Sequence, residues 1–201
     1  MTEIKRCEWC GNDPLYIQYH DQEWGRPVFD DETLFEFLIL EGFQAGLSWI
    51  TILRKRDNFR KAFHSFDFHK IARYDEDDFN RLMQNEGIIR NRLKIRAAVT
   101  NAQAFIRIRE EFGSFSRYIW AFVEGKPIVN QFKSMEEVPA STSLSDKISK
   151  DLKKRGFKFV GSTIVYAHMQ ATGMVNDHVV DCGFRQEIIE VPVHKLRKFC
   201  F

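Results

Sequence analysis

The sequence has few cysteines, no long apolar run and little net charge. No window of about 18 apolar residues occurs, so no transmembrane span is indicated. The opening segment MTEIKRCEWC lacks the apolar core of a secretory signal. These absences predict a cytoplasmic protein without a membrane partner. Cytoplasmic thiols stay reduced. If any of the four cysteines lie close together in the fold, a metal site is therefore favoured over a disulfide.

The formal charge of +2 is close to neutral, so a nucleic-acid partner has to be inferred from local basic patches. What the chain does have is aromatic and apolar side chains, with 19 Phe, four Trp and 44% hydrophobic residues. That is enough to form a real core. A length of 201 residues predicts one domain, or one domain with a small lobe.

Helical patterns cover nearly the whole chain and predict an all-α fold. DDETLFEFLILEG starts at an Asp pair suited to capping and places Leu34, Phe37, Leu38 and Glu41 on one face. Further helices are expected in LSWITILRKRDNFRKAF, DEDDFNRLMQNEG (ended by Gly87), IRNRLKIRAAVTNAQAFIRIREEFG, SFSRYIWAFVEGKP, SLSDKISKDLKKRG (ended by Gly156) and STIVYAHMQATG. Strand signals are weak, since FKFV is too short and EIIEVPVH lies in the tail.

Cysteine and histidine pairs stand near both ends of the chain. Cys7 and His20 lie near the N-terminus, and His178 and Cys182 lie in VNDHVVDC, which we expect to end a helical segment. Two thiolates and two imidazoles suit tetrahedral zinc. Spacing alone leaves ordinary packing as the more common explanation. The C-x-x-C pair formed with Cys10 is a further option, and Cys200 has no obvious partner.

A second group of side chains combines aromatic rings with one carboxylate. Tyr16, Tyr19 and Trp24 come from YIQYHDQEWG, and Glu41 and Trp49 come from LEGFQAGLSW. Glu41 falls on the apolar stripe of its helix, where a carboxylate is unusual and needs a partner or a ligand. Stacking rings with an acceptor at the edge suit a flat cationic heterocycle. The alternative is that Trp49 belongs to the core and Glu41 turns to solvent.

The stretch LKKRGFKFVGST predicts a helix, a tight turn between two glycines and a second helix. The start of the second helix offers free N–H groups, and Lys153, Lys154, Arg155 and Lys158 surround it. Such an arrangement suits a phosphate and therefore a nucleic-acid backbone. A lysine-rich, solvated helix end is the alternative.

Four segments together resemble one family. DPLYIQYHDQEWG, FQAGLSWITIL, KKRGFKFVGSTI and VNDHVVDC are similar to the 3-methyladenine DNA glycosylase I family, the zinc-containing branch of the helix-hairpin-helix glycosylases. The resemblance runs from about Cys7 to Cys182. It implies a single helical glycosylase domain over residues 1–183, with two lobes as an option and the hairpin at about 145–174. It leaves the tail 184–201 without a role.

The resemblance also implies roles for individual residues. One structural zinc would join the two ends of the domain through Cys7, His20, His178 and Cys182, with Cys10 outside the site. Tyr19, Glu41 and Trp49 would hold the damaged base, with Tyr16 and Trp24 lining the same pocket and Glu41 as the catalytic group. The residues implied in DNA binding are Gly46, Leu47, Lys153, Lys154, Gly156, Lys158 and Gly161.

The resemblance predicts an enzyme that releases 3-methyladenine from double-stranded DNA by flipping the nucleotide. Asn176 stands where many relatives of the wider superfamily carry an Asp, so activation is expected from the positive charge of the alkylated base itself. Thr163 stands where bifunctional relatives carry a Schiff-base lysine, so no strand cleavage is expected. The partners would be DNA with alkylated adenine and the free base as product, and the protein would be a monomer.

Two other functions fit part of the pattern. A non-catalytic, zinc-stapled DNA-binding module would share the hairpin and the metal but would give Glu41 no task. A hydrolase of nucleosides or RNA would share the pocket but would not need the hairpin or Leu47. A cavity lined by Glu41 and Trp49 and open toward the hairpin would favour the glycosylase.

Overall fold

The computed structural model describes residues 4–189 and confirms an all-α fold. The helices are α1 (Pro14–Gln22), α2 (Asp31–Gln44), α3 (Trp49–Leu53), α4 (Arg56–Ala62), α5 (Phe68–Ile71), α6 (Glu76–Gln84), α7 (Arg92–Phe112), α8 (Phe115–Trp120), α9 (Ser143–Lys154), α10 (Ser162–Ala171) and α11 (Arg185–Ile189). Short 3-10 turns occur at Glu8–Cys10, His64–Phe66, Ala121–Val123 and Met135–Glu137. Within the described range, no helix has the length and apolar character needed to cross a bilayer.

Helix α2 is the centre of the molecule. Asp30 caps it by accepting a hydrogen bond from the backbone N–H of Thr33, as the Asp pair predicted. Every residue from Leu34 to Phe43 is buried, because α2 packs against α3, α7, α8 and α10. A helix that is apolar on all sides is one that neighbours surround. The buried position of Glu41 follows from this central place.

The segment LSWITILRKRDNFRKAF does not form the one continuous helix that was expected. It divides into α3 and α4 at Arg54 and Lys55. The second half turns so that the buried Arg56 guanidinium reaches Glu36 on α2 at 2.5 Å and Glu23 at 2.6 Å. A buried charge needs such partners, and helical periodicity does not reveal them.

The expected end of α6 at Gly87 is also displaced. The helix stops at Gln84, and Asn85 follows in an extended conformation. The Asn85 side chain accepts a hydrogen bond from the backbone N–H of Gly87 at 2.9 Å. An asparagine that bonds its own backbone two residues on forms a turn by itself, so the glycine is not the stop.

VNDHVVDC is not the end of a helix, which corrects the sequence prediction. Helix α10 ends before it, and Val175–Asn176 forms strand β2, parallel to strand β1 at Ile128–Val129. After β2 the chain turns, and the Asn176 side chain accepts a hydrogen bond from the backbone N–H of His178 at 3.2 Å. A strand of two residues has no periodicity to detect. EIIEVPVH, the other weak strand signal, lies mostly outside the described residues.

Candidate functional site

Two cysteines and two histidines from opposite ends of the chain form a buried cluster. Cys7 precedes α1, His20 lies on α1, and His178 and Cys182 lie in the turn after β2. Their ligand atoms all lie within 4.8 Å of one another. Nδ1 of His178 is 3.6 Å from Sγ of Cys7 and 3.2 Å from Sγ of Cys182, which is 3.7 Å from Nε2 of His20.

The chemistry and spacing of this cluster fit a tetrahedral metal. Bonds of about 2.0–2.3 Å to nitrogen and sulfur place the ligand atoms of tetrahedral zinc about 3.3–3.8 Å apart. The second nitrogen of each imidazole also has a partner. Nδ1 of His20 is 2.8 Å from the Asp21 carboxylate, and Nε2 of His178 is 3.1 Å from the Trp24 carbonyl oxygen. Such contacts fix the ring and its tautomer in metal sites.

Cys10 lies outside the cluster. Its thiol donates instead to the carbonyl oxygen of Cys7 at 3.1 Å. Within the cluster, the pKa of the Cys182 thiol is lowered, chiefly by a hydrogen bond from the Cys7 thiol. The group is therefore two thiols and two imidazoles, as the end-to-end pairing predicted.

Beside the cluster lies a cavity of about 290 Å³. All five side chains predicted to bind a base line it: Tyr16, Tyr19, Trp24, Glu41 and Trp49. It is also lined by Trp9, Gln44, Met135, Val138, Pro139, Ala167 and Gln170. Helix α1 contributes to both sites, with His20 in the cluster and Tyr16 and Tyr19 at the cavity.

Glu41 is the unusual group of the cavity. It is 3% exposed, so the alternative in which it turns to solvent is wrong. Burial raises the pKa of its carboxyl from 4.5 to about 8. Its Oε2 has no hydrogen-bond partner among residues 4–189, and neither do the indole N–H groups of Trp9 and Trp49. Buried polar atoms left unpaired at one cavity indicate a ligand that supplies the partners.

The aromatic rings of the cavity contact one another, edge to face around Trp9 and tilted between Tyr19 and Trp49. The Trp9 ring lies 4.8 Å from that of Tyr16 and 5.0 Å from that of Trp24, and the Tyr19 ring lies 5.4 Å from that of Trp49. Burial raises the pKa of the Tyr19 phenol well above 10, so its hydroxyl remains a donor at neutral pH. Trp9 was missed from the sequence, although its place inside CEWC, beside the predicted ligand Cys7, was a usable signal.

Asn176 does not line this cavity. It is fully buried, its oxygen accepts from the backbone N–H of His178, and its nitrogen donates to the carbonyl oxygen of Arg185 at 3.3 Å. Both ends of the amide therefore hold the turn that carries His178 and Cys182. Asn176 therefore supports the Cys/His cluster and does not face the cavity.

Gly46 and Leu47 lie in the loop between α2 and α3, next to the cavity. Gly46 has a φ of 80°, a left-handed conformation that favours glycine, and Leu47 is 41% exposed. The ammonium group of the buried Lys94 donates to the carbonyl oxygens of Phe43 at 2.8 Å and Ala45 at 2.6 Å. Lys94 fixes the base of the loop, a role that its sequence position did not reveal.

The predicted turn between α9 and α10 has its two glycines in different roles. Gly156 ends α9 with a φ of 97°, whereas Gly161 is the N-cap of α10 with an ordinary φ of −62°. No side chain caps α10, so its first N–H groups stay available. The Asn101 side chain holds the turn by bonding both backbone groups of Lys158, at 2.8 and 3.0 Å.

The basic side chains around this turn differ in availability. Lys153, Lys154 and Lys158 are exposed. Arg155 is engaged by Glu111 at 2.6 Å and Asp151 at 2.7 Å. The three lysines, and not the arginine, are therefore free to contact an anion, which is the set predicted for DNA binding.

Comparison with known proteins places the chain in a family. The model of the methyladenine glycosylase family matches residues 9–186, so the chain belongs to this family. The DNA-3-methyladenine glycosylase 1 of Escherichia coli K12 is 54% identical over 179 residues, covering 89% of this chain and 96% of that protein. The DNA-3-methyladenine glycosylase of Haemophilus influenzae is 51% identical over 177 residues, covering 88% and 96%.

Solved structures agree with this assignment. A crystal structure of a 3-methyladenine DNA glycosylase I, 53% identical, superposes with a TM-score of 0.87 and covers 89% of this chain and 98% of its own. The Staphylococcus aureus enzyme, whose structure addresses 3-methyladenine recognition, is 37% identical with a TM-score of 0.88 and covers 90% and 97%. The similarity therefore extends over nearly the whole fold.

Proposed function

We propose that the protein is a base-excision repair glycosylase that hydrolyses the N-glycosidic bond of 3-methyladenine in DNA. The observation that carries the proposal is the buried Glu41 carboxyl, unpaired at Oε2 in an aromatic cavity. A flat, cationic purine supplies the missing hydrogen-bond donors and the opposite charge. Relatives more than half identical and named for this activity support the proposal.

Glu41 matches a cationic base better than a neutral one. With its pKa raised to about 8 by burial, the free carboxyl is mainly protonated at neutral pH. A positive base beside it would lower that pKa and convert it into a carboxylate. Charge-assisted hydrogen bonds are roughly twice as strong as neutral ones, so the cation is selected over the normal adenine. Trp49 would stack on the base, and the Tyr19 hydroxyl would add an edge contact.

Two elements would contact the DNA, the hairpin of α9 and α10 and the loop between α2 and α3. In this role the hairpin of α9 and α10 binds phosphates through the uncapped start of α10 and through Lys153, Lys154 and Lys158. The exposed Leu47, raised on the loop that Lys94 fixes, fills the space left by the flipped nucleotide. A side chain of this kind offsets part of the lost stacking energy.

The positive charge of the leaving group would supply the activation needed to break the glycosidic bond. Adenine alkylated at N3 is positively charged while it is attached to the sugar, so the bond to C1′ is already weak. Asn176, which is neutral and turned away from the cavity, supplies no carboxylate at the sugar. Thr163 supplies no amine for a Schiff base, so the enzyme releases the base without cleaving the strand.

One structural zinc bound by Cys7, His20, His178 and Cys182 completes the proposal. Four protein ligands leave no open position for water, so the ion would join the two ends of the domain and take no part in hydrolysis. The partners of the imidazoles and the 3.2–3.7 Å spacing support zinc. We place the protein in the cytoplasm as a monomer, as the sequence predicts.

Incubation of methylated duplex DNA with the protein, followed by chromatography of the released bases, tests the function. Release of 3-methyladenine with intact strands is expected. Binding without release would favour the DNA-binding module, and release from free nucleosides at a comparable rate would favour the nucleoside hydrolase. Glu32→Gln, which removes an exposed carboxylate from the start of α2, serves as the control for Glu41→Gln.

A further inference from the structure

A second buried carboxylate stands behind the cavity and contacts it through one side chain. Asp177 is 1% exposed and accepts three hydrogen bonds. Asn130 donates to its Oδ1 at 2.6 Å, and the Tyr166 hydroxyl and the Gln170 amide nitrogen donate to its Oδ2 at 2.7 and 2.8 Å. All three partners are donors, so both oxygens of the carboxylate are engaged within the protein.

Of these three donors, Gln170 also lines the cavity. A carboxylate only accepts, so the bond to Asp177 forces the amide nitrogen of Gln170 toward Asp177 and the oxygen away from it. That oxygen has no hydrogen-bond partner within residues 4–189. A buried carboxylate also polarises an amide that donates to it, which strengthens the amide oxygen as an acceptor.

The acceptors of the cavity lining therefore include two of different kinds, the Glu41 carboxyl and the Gln170 amide oxygen. The exocyclic amino group at position 6 of an adenine has two N–H donors and can use both. A purine with an oxygen at position 6, as in hypoxanthine and guanine, would present an acceptor to an acceptor. Sites that leave buried polar groups unpaired reject the wrong ligand strongly.

We propose that Gln170, held in one orientation by Asp177, is a specificity-determining residue that accepts a hydrogen bond from the 6-amino group of the flipped base. Asp177 is then a positioning residue that acts through Gln170. The inference rests on the base pocket proposed above. It assigns the preference for adenine over 6-oxopurines to a pair that lies outside the aromatic cage.

Binding of two free bases tests the proposal, with the quenching of tryptophan fluorescence as the readout because Trp9 and Trp49 line the cavity. The probes are 3-methyladenine and 3-methylhypoxanthine, which differ in the group at position 6. Gln170→Met removes the acceptor at similar size. It should weaken 3-methyladenine binding by roughly 3- to 10-fold and leave 3-methylhypoxanthine binding unchanged or improved.

Asp177→Asn is the more specific variant. It offers an amide nitrogen where Oδ2 stands, so Gln170 is free to turn its own nitrogen toward the cavity. The preference for 3-methyladenine over the 6-oxo base should then fall several-fold, because a donor now faces position 6. Tyr166→Phe is the matched control, since it removes another donor to Oδ2 without freeing Gln170, and it should keep the wild-type preference.

The outcomes separate this proposal from the one on which it depends. If wild type binds neither base, the pocket assignment fails. If wild type prefers 3-methyladenine and both Gln170→Met and Asp177→Asn keep that preference, the role proposed for Gln170 is wrong. An equal loss of preference in Tyr166→Phe and Asp177→Asn would assign the effect to general loosening and would also overturn it. Should Asp177→Asn fail to fold, Gln170→Met decides alone.

Discussion

The Cys/His cluster and the cavity share α1 and Trp24, and their buried polar atoms differ in hydrogen bonding. In the cluster, each imidazole has one nitrogen facing the other cluster side chains. The second nitrogen contacts the Asp21 carboxylate in His20 and the Trp24 carbonyl oxygen in His178. In the cavity, Glu41 and two indoles keep polar atoms without partners in the described chain. Partners from within the chain hold the imidazoles in place, whereas the unpaired atoms of the cavity are available to a ligand.

The same contrast separates two of the buried carboxylic acids, Asp177 and Glu41. Asp177 has three donors and orients a neighbour, whereas burial alone raises the pKa of Glu41. Glu41 costs the free protein stability that a cationic ligand would restore.

The largest effect should appear in the choice of lesion. Because activation comes from the positive charge of the base, single-turnover release of 3-methyladenine should exceed release of hypoxanthine by more than about a thousandfold, a barrier difference above about 4 kcal/mol. Two duplexes that differ in one lesion provide the measurement. Comparable rates would mean that a group of the protein activates neutral bases.

The next largest effect should follow from removing one side chain of the Cys/His cluster. His178→Ala removes one ligand of the proposed zinc and should lower the free energy of unfolding by about 3–5 kcal/mol, because structural zinc contributes directly to folding. Urea denaturation with elemental analysis measures both quantities. Cys10→Ala is the control and should keep one zinc per chain; loss of zinc in that variant would place Cys10 among the ligands.

Glu41→Gln should have opposite effects on stability and on activity. The folded-state pKa of about 8 exceeds the ordinary 4.5, so the contribution of Glu41 to stability is present below about pH 4.5 and is lost as pH rises through about 8. The Gln variant should therefore gain on wild type over that range, by on the order of 2–4 kcal/mol. Its release of 3-methyladenine should fall roughly 10- to 100-fold.

Denaturation and single-turnover release at several pH values measure these two effects. Below saturation, where the rate reports the free protein, wild-type release should rise toward about pH 8 as Glu41 ionises, whereas release by the Gln variant should be flat. A stability difference that does not change with pH would show that Glu41 is not a buried, unpaired acid.

The smallest effect should come from a single phosphate contact. Lys158→Ala should reduce the slope of log affinity against log salt by at most about one unit and weaken binding to all duplex sequences alike. Lys61→Ala, which removes the same charge from α4, should leave the slope unchanged. An equal reduction in both variants would indicate general electrostatic attraction and no specific hairpin contact.

Features that depend on neighbouring residues could be predicted from the sequence, whereas features that depend on distant contacts could not. The helices α2, α7, α9 and α10 follow from periodicity, capping and terminal glycines, because these signals are local. The division between α3 and α4 could not be found, since it depends on Arg56 meeting Glu36 and Glu23. Strand β2 was missed because two paired residues leave no pattern.

The candidate site shows the same difference between local and long-range signals. Glu41 was detectable because a carboxylate on an apolar stripe contradicts its local pattern. The roles proposed for Gln170, Lys94 and Asn101 were not, because each acts through a contact with a distant segment. For Asn176, the sequence indicated a missing charge but not its two backbone contacts.

We propose that the unpaired Glu41 carboxyl binds a cationic base. The most direct measurement is the NMR titration of carboxyl-labelled glutamate, with the Glu41 signal assigned through Glu41→Gln, in the free protein and with 3,9-dimethyladeninium. This ligand is a permanent cation in which the methyl group on N9 stands for the sugar. The account predicts a pKa near 8 in the free protein and a clearly lower one in the complex. A pKa that stays the same when the cation binds, or one already near 4.5 in the free protein, would contradict it.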